Sequence, residues 1–249
     1  MRPDQRNTEP SATGRVALLL GAFSAGDHAL GVSELARRTG LPKSSVHRLT
    51  EQLLTHGFLE RTENGLLLGF KLFEIGQLAV RQRGLVDLAR PHLADLRAAS
   101  QNTVHLAVLE GTEVVYLDVL PWRDGPRLPS RIGGRFPAHA TAVGKALLAY
   151  ASSELVDAVL RPGLSRVSER TITSAAVFRK QLRRAREEGM AYEREESGAG
   201  VVCAASPILD HAGQAIAAIS VSGWSNRVRL NHVAPAVRTT ALALSRALR

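Results

Sequence analysis

The sequence predicts an α+β protein in two parts: a mainly helical N-terminal part and a larger C-terminal part in which helices flank an antiparallel sheet. Up to about residue 57, apolar residues recur with the 3.6-residue period of amphipathic helices. Beyond residue 100, apolar strands separated by short turns alternate with helical segments, which is typical of an α+β fold. A length of 249 residues is enough for two ordinary domains.

The N-terminal part starts with a polar tail, residues 1–13, which we expect to be disordered. A first amphipathic helix is predicted over about 15–24. Ser33 is expected to cap a second helix, since a serine oxygen accepts a hydrogen bond from a free backbone N–H. Gly40 is expected to end that helix, because glycine adopts the left-handed conformation at little cost. Pro42 then falls in the first turn of a third helix, where its missing N–H is not needed.

The third helix is predicted to bury one stripe and to expose a basic and polar edge. Val46, Leu49 and Leu53 form the inner stripe. A short helix, a glycine turn and a second helix with a basic outer edge are typical of a helix-turn-helix that enters the DNA major groove. The candidate DNA-contacting residues are Ser33, Pro42, Lys43, Ser44, Ser45, His47 and Arg48.

Two further elements complete the N-terminal part. Residues 58–61 and 66–68 are predicted to form a hairpin, which after a recognition helix is a wing. The winged helix-turn-helix is therefore assigned to residues 14–69. Residues 70–84 are predicted to form a linker helix, with Leu72, Ile75 and Ala79 facing inward.

Residues 85–249 are predicted to be a separate domain. Its helices are expected over 85–100, 141–150, a short segment after Ser153, 174–188 and 231–248, and its strands over 104–109, 113–120, 190–194, 201–209 and 215–223. Thr173 is expected to cap the fourth of these helices and Gly189 to end it.

Composition limits the classes of function. The formal net charge is +9, which favours a polyanionic partner only weakly, because residues 1–83 hold 11 basic and 8 acidic side chains and the rest hold 21 and 15. One cysteine excludes an internal disulfide and fits a reducing cytoplasm. No apolar run approaches the length of a membrane span, so we expect no membrane partner.

The sequence offers no coherent catalytic set. Gly144-Lys145 does not complete a phosphate-binding loop, since His139 stands where a glycine is required and Ala146 where a serine or threonine is required. Cys203 is predicted to be a buried, unreactive strand residue. The histidines lack the spacing of metal ligands. We therefore expect no catalytic residues, metal or cofactor.

Three acidic residues near Cys203 in sequence leave an alternative open. Strand alternation predicts Glu193 and Glu195 on one face and Glu196 on the other. They form either a solvated loop edge or part of a ligand pocket.

Three motifs in order resemble the IclR family of bacterial transcription regulators over residues 14–249. The first is VSELARRTGLPKSSVHRLTEQLLTHGFLER. The second is FPAHATAVGKALLAY, which carries the H-x-[ST]-x-x-GKA-x-L-A signature at 139–149. The third is EEGMAYEREESGAGVVCAASPILDHAGQAIAAISVSG. Each motif is moderately specific, and the three together are highly specific.

The resemblance implies a GAF-like effector domain with an antiparallel sheet and a pocket for a small molecule, generally a carboxylate. By the family's motifs, the effector-binding residues are Leu128, His139, Ala142, Val143, Glu193, Cys203, Ser220 and Ser222. Strand alternation independently places Ser220 and Ser222 on one face.

The sequence is therefore interpreted as a regulator that binds double-stranded operator DNA as a homodimer or homotetramer and responds to a small organic acid. Two alternatives remain open at this point. One is a regulator without an effector, in which the C-terminal domain only oligomerises. The other is an enzyme or a small-molecule binding module in which the N-terminal part only mediates dimerisation.

Overall fold

The computed structural model describes residues 10–24, 26–81 and 84–248, with backbone alone at 80 and 81. It divides into two compact units, Met1–Gln82 and Arg83–Arg249. Most of the predicted tail, residues 1–9, lies outside the described residues. The last two residues of that tail are helical and not disordered, because the first helix begins at Ala12, and the Ser11 hydroxyl accepts a hydrogen bond from the Gly14 N–H at 3.1 Å.

The N-terminal unit contains four helices and one hairpin among its described residues. They are α1 (Ala12–Gly21), α2 (Val32–Thr39), α3 (Lys43–Thr55), β1 (Leu59–Thr62), β2 (Gly65–Leu68) and α4 (Phe70–Arg81). Helix α1 lies three residues earlier than the sequence predicted. The first three helices and the hairpin enclose a core that includes Leu19, Leu35, Val46, Leu53 and Leu59.

The boundaries of the helix-turn-helix differ from prediction at one cap. The residue at the N-cap of α2 is Gly31, and Ser33 is an exposed residue inside the helix, so it does not cap it. The prediction was wrong because the helix begins one residue before this serine. Gly40 does end α2, with a φ of 69° and an N–H that donates to the Ala36 carbonyl. Pro42 is the N-cap residue of α3.

Helix α4 does not bury the face that the sequence predicted. Ile75 is 45% exposed, Ala79 is exposed and Leu72 is only half-buried. Phe70, Phe73 and Leu78 are exposed as well. The periodicity identified an apolar helix correctly, but none of the described residues of this unit covers its apolar side.

The C-terminal unit is built on one six-stranded antiparallel sheet of order β5-β4-β3-β8-β7-β6. Its strands are β3 (Thr103–Glu110), β4 (Glu113–Leu120), β5 (Arg135–Pro137), β6 (Ala191–Arg194), β7 (Val201–Leu209) and β8 (Ala215–Trp224). Its helices are α5 (Leu85–Ser100), α6 (Ala142–Leu148), α7 (Ser153–Leu160), α8 (Ala175–Glu188) and α9 (Leu230–Ala247), with a 3₁₀ turn at Ala138–Ala140.

The sheet carries helices on two sides. Helix α9 packs on β7 and against α5, and α6 packs on β7 and β8 and against α8. The N-cap of α8 is Ser174, whose hydroxyl accepts from the Val177 N–H, so the prediction of Thr173 was one residue early. No helix in the described ranges has the length and apolar character needed to cross a membrane.

Gly144 explains part of the second motif. A Cβ at this position would lie 2.1 Å from the carbonyl oxygen of Ala138, far inside van der Waals contact. Glycine therefore lets the start of α6 pass directly over the preceding 3₁₀ turn. This approach brings the first turn of α6 to the sheet.

Candidate functional site

The outer edge of α3 presents two cations, Lys43 and Arg48, that have no partner among the described residues. Lys43, Ser44, His47 and Arg48 are exposed, and Ser45 is half-buried. Within the described ranges, neither Lys43 nor Arg48 forms an ion pair or a side-chain hydrogen bond. The opposite side of the helix is fixed by buried Val46, Leu49 and Leu53. The core therefore holds α3 with its basic edge toward solvent.

The two arginines of α2 are engaged elsewhere. Arg37 donates to both oxygens of Glu34, at 2.9 and 2.7 Å. Arg38 donates to Asp27 at 2.7 and 2.9 Å and to Glu34 at 2.8 Å. The Arg37 hydrogen bond, followed by that of Arg38, lowers the pKa of Glu34 to about 2. Of the four lysine and arginine residues in 33–48, Lys43 and Arg48 thus remain available for an external anion.

The hairpin adds little positive charge. The Arg61 guanidinium pairs with the Glu51 carboxylate at 2.5 Å. The turn between β1 and β2 exposes Glu63 and Asn64. Contacts of this wing with a polyanion would therefore be weaker than those of α3.

A cavity lies in the C-terminal unit, with about 380 Å³ of free space including its mouth. Strands supply one wall, the start of α6 a second, and the loop after β4 a third. The cavity is lined by His105, Tyr116, Leu128, Pro129, Ser130, Phe136, Thr141, Ala142, Val143, Glu193, Ser197, Val201, Cys203, Ser220 and Ser222. No lysine or arginine of the described residues lies in this wall.

The register of the sheet explains why distant residues meet here. Glu193 on β6 is directly opposite Cys203 on β7, and Cys203 is directly opposite Ser222 on β8. In the neighbouring row, Ser220 is opposite His105 on β3. Because directly opposite residues of antiparallel strands project from the same face, these side chains share one wall.

Glu193 is the buried acid of the cavity. It is 1% exposed, and its Oε1 accepts from the N–H groups of Glu196 and Ser197, at 2.6 and 3.0 Å. Burial raises the pKa of its carboxyl to about 7, against the lowering effect of these two hydrogen bonds. Its Oε2 has no hydrogen-bond partner among the described residues. One oxygen thus remains available to a ligand.

His105 and Cys203 are neutral parts of the same wall. Burial lowers the pKa of the His105 imidazole to about 4, and its ring nitrogens hydrogen-bond with Ser130 at 2.8 Å and Ser220 at 3.3 Å. Burial, followed by the charge of Glu193, raises the pKa of the Cys203 thiol to about 12. Cys203 is therefore a protonated thiol, which is a poor nucleophile.

Lys145 and Glu196 form a buried ion pair next to the residues that line the cavity. Lys145 of α6 is 1% exposed, and its Nζ donates to both oxygens of Glu196, at 2.7 and 2.8 Å, and to Gln181 at 2.9 Å. An ammonium has three donors, and all three are used. Thr171 adds a hydrogen bond to the Glu196 carbonyl at 2.7 Å. This network ties α6 to the segment after β6.

Comparison with known proteins identifies the family. Residues 77–246 match the model of the bacterial transcriptional regulator IclR C-terminal domain, and residues 12–63 match the IclR helix-turn-helix domain. The chain is 33% identical over 240 residues to the HTH-type transcriptional regulator XynR of Escherichia coli, covering 94% of this chain and 95% of the relative. The chain belongs to the IclR family.

Other members give the same result. The transcriptional repressor IclR of Escherichia coli is 32% identical over 242 residues, covering 91% of this chain and 88% of that protein. An IclR homolog of Microbacterium hydrocarbonoxydans, solved in complex with 4-hydroxybenzoate, superposes with a TM-score of 0.88 at 31% identity and covers 96% of this chain and 99% of that one. Like its relatives, the chain is a transcriptional regulator with DNA as its partner, and not an enzyme.

Most residues carried over from the family's motifs lie at the cavity. Leu128, Ala142, Val143, Glu193, Cys203, Ser220 and Ser222 all line it. His139 does not: it is buried, and its Nε2 hydrogen-bonds with the Ser165 carbonyl at 2.9 Å. It anchors the loop after α7.

The alternation predicted for the three acidic residues was wrong. Strand β6 ends at Arg194, and Glu195 adopts a φ of 62°. The chain turns there, so that Glu193 and Glu196 are both buried while Glu195 is half-buried. A solvated loop edge is thereby excluded for two of the three residues.

Sequence reasoning missed several residues of the wall and its support. In the wall they are His105, Tyr116, Pro129, Ser130, Phe136, Thr141, Ser197 and Val201. The pairing of Lys145 with Glu196, next to this wall, was missed as well. One signal was available, since polar His105 interrupts an otherwise apolar strand. The pairing of Lys145 with Glu196 spans 51 residues, and no local pattern indicates it.

Proposed function

We propose that this regulator binds operator DNA through the outer edge of α3 and that a small organic acid in the C-terminal cavity controls its affinity. Lys43 and Arg48 support the first part, because both are exposed and neither has a partner among the described residues. Lys43 contacts phosphate, and Arg48 contacts phosphate or a guanine edge. Ser44, Ser45 and His47 supply hydrogen bonds to the groove or the backbone.

The cavity carries the second part of the proposal. Its wall combines hydroxyls from Ser220, Ser222 and Thr141 with apolar and aromatic side chains, a mixture suited to a small polar ligand. Ala142 and Val143 line the cavity at the first turn of α6, where backbone N–H groups have no partner within the helix. A relative of the same fold was solved with an aromatic acid, 4-hydroxybenzoate.

Assembly and coupling complete the proposal. The regulator acts as a homodimer or homotetramer, and its half-sites lie about 34 Å apart or a multiple of that spacing. The effector acts on DNA affinity through the segment 70–83. A coupling free energy of about 1–3 kcal/mol corresponds to a 5- to 150-fold change in affinity.

Two measurements test the proposal. Fragments of the source chromosome are selected on the purified protein at physiological salt, and a footprint with two-fold symmetry is expected on the selected DNA. A thermal-shift screen with acetate, pyruvate, benzoate and 4-hydroxybenzoate then tests the cavity. Binding at 100 times the dissociation constant should stabilise the protein by about 2.7 kcal/mol. Selection of random fragments alone would contradict the DNA part, and the absence of any acid that binds would contradict the effector part.

A further inference from the structure

The charges around the cavity do not balance for an incoming anion. Two carboxyl groups, Glu193 and Glu196, are buried beside one ammonium, Lys145. All three donors of that ammonium are used by Glu196 and Gln181. The wall itself contains no lysine or arginine in the described part of the chain. A carboxylate that enters therefore finds no free cationic side chain.

The remaining groups near Glu193 do not supply a positive charge either. Tyr116 on β4 and Cys203 on β7 interact electrostatically with the Glu193 carboxylate, and burial raises the pKa of both. His105 on β3 is kept neutral by burial. A second carboxylate beside an ionised Glu193 would place two like charges in a poorly solvated space, which strongly favours protonation of one of them.

Glu193 is placed to share a proton with such a ligand. Its Oε1 is held by two backbone N–H groups, while its Oε2 has no partner in the described chain. We propose that Glu193 selects the protonation state of the effector: an organic acid binds with uptake of one proton, which its carboxyl shares with Glu193. Like the dyad of two acids with one proton in aspartic proteases, the pair carries a single negative charge.

This inference rests on the proposed acid-binding function and predicts a specific pH dependence. Because burial raises the pKa of Glu193 to about 7, the free protein is largely ionised there at pH 8.5 and must take up close to one proton on binding. At pH 6 most molecules of the free protein already have a protonated Glu193, so binding takes up little further proton. The dissociation constant of the acid should thus increase by about tenfold per pH unit above pH 7 and change little between about pH 6 and 7.

The test is calorimetric titration of the full chain with the four acids of the screen, in two buffers of different ionisation enthalpy. Uptake of about one proton per bound acid is expected at pH 8.5, and little at pH 6. Glu193→Gln should abolish the uptake and bind the acid more tightly than wild type at pH 8.5, because its amide keeps the Oε1 acceptor without the charge. Glu187→Gln, on the exposed side of α8, is the matched control and should behave as wild type.

The outcomes separate the two proposals. An acid that binds without proton uptake and with constant affinity from pH 6 to 8.5 overturns the role of Glu193 and leaves the effector proposal standing. Uptake that persists in Glu193→Gln but is lost in His105→Gln also overturns it, since the imidazole would then accept the proton. If no acid binds at either pH, both proposals fail. Benzamide is a neutral analogue of benzoate and has no carboxylate to repel Glu193. Its affinity should therefore not decrease as pH rises.

Discussion

The Lys145 ammonium donates to both carboxylate oxygens of Glu196, at 2.7 and 2.8 Å, although the two residues are 51 positions apart. Both side chains are buried. Removing one partner of a buried pair leaves an uncompensated charge, whereas removing both does not. This pair therefore holds α6 and the segment after β6 in one arrangement at the back of the cavity.

Lys145→Met should lower the free energy of unfolding by about 3–5 kcal/mol, because it leaves the Glu196 carboxylate buried and unpaired. The double variant Lys145→Met with Glu196→Leu should recover much of that loss. Urea unfolding at pH 7 measures both. Arg184→Ala breaks an exposed pair with Glu188 and should change stability by less than about 1 kcal/mol. Equal losses in the single and double variants would contradict this account of the pair.

Arg48→Ala should weaken operator binding by about 1–3 kcal/mol and relax specificity at one base pair if Arg48 reads a guanine. Lys43→Ala should weaken binding to all sequences equally and reduce the salt slope by about one. Fluorescence anisotropy with the selected operator and single-base variants at several salt concentrations measures both effects. Arg184→Ala removes the same charge from the other unit and should leave affinity nearly unchanged. If Arg184→Ala weakens operator binding as much as Arg48→Ala does, the net charge of the protein and not the basic edge of α3 is responsible for the affinity.

Leu128→Trp should block the effector without affecting DNA. Leu128 lines the cavity from a loop and is half-buried, so an indole at this position should fill the space at little cost to folding. Operator affinity in the absence of acid should equal that of wild type, and the thermal shift with the acid should disappear. Arg127→Trp, at an exposed neighbour in the same loop, should retain the shift. A normal acid response in Leu128→Trp would place the ligand elsewhere.

His105 should make the protein sensitive to acid. Because burial lowers the pKa of this imidazole from 6.5 to about 4, the folded state disfavours the charged form. Between pH 6.5 and 4 the unfolded state binds a proton at this imidazole and the folded state does not. The free energy of unfolding is therefore unaffected by His105 above pH 6.5 and falls by about 1.4 kcal/mol per pH unit as pH drops from 6.5 toward 4. His105→Gln should lose less stability than wild type between pH 6.5 and 4.5 in urea unfolding experiments. His211→Gln, on an exposed turn, should follow wild type, and identical pH profiles for all three proteins would refute the assignment.

Local patterns in the sequence predict the elements of this fold well. The inner stripe of α3 identifies the helix and leaves Lys43 and Arg48 outside, as the structure has them. Gly40 and Gly189 end their helices as predicted, because left-handed backbone at a helix end favours glycine. Cap residues were predicted less accurately. Thr173 and Ser174 both precede α8, and only Ser174 caps it. The N-cap of α2 is Gly31, which has no side chain that could indicate a cap.

Properties that depend on distant residues could not be predicted. An amphipathic pattern shows that α4 has an apolar face, but not whether the fold covers that face, and Ile75 and Ala79 are in fact exposed. Strand alternation assumes that a strand continues, and the turn at Glu195 ended it and buried Glu196. The cavity wall depends on strand order, which placed His105 beside Ser220 across 115 residues.

The central claim is that an acid in the C-terminal cavity changes the affinity of α3 for its operator. The most direct measurement is anisotropy of the labelled operator with wild type and Leu128→Trp while the acid found in the screen is raised to saturation. The account predicts a change in operator affinity of at least about fivefold in wild type and none in Leu128→Trp. A saturating acid that leaves the operator affinity of wild type unchanged would contradict it.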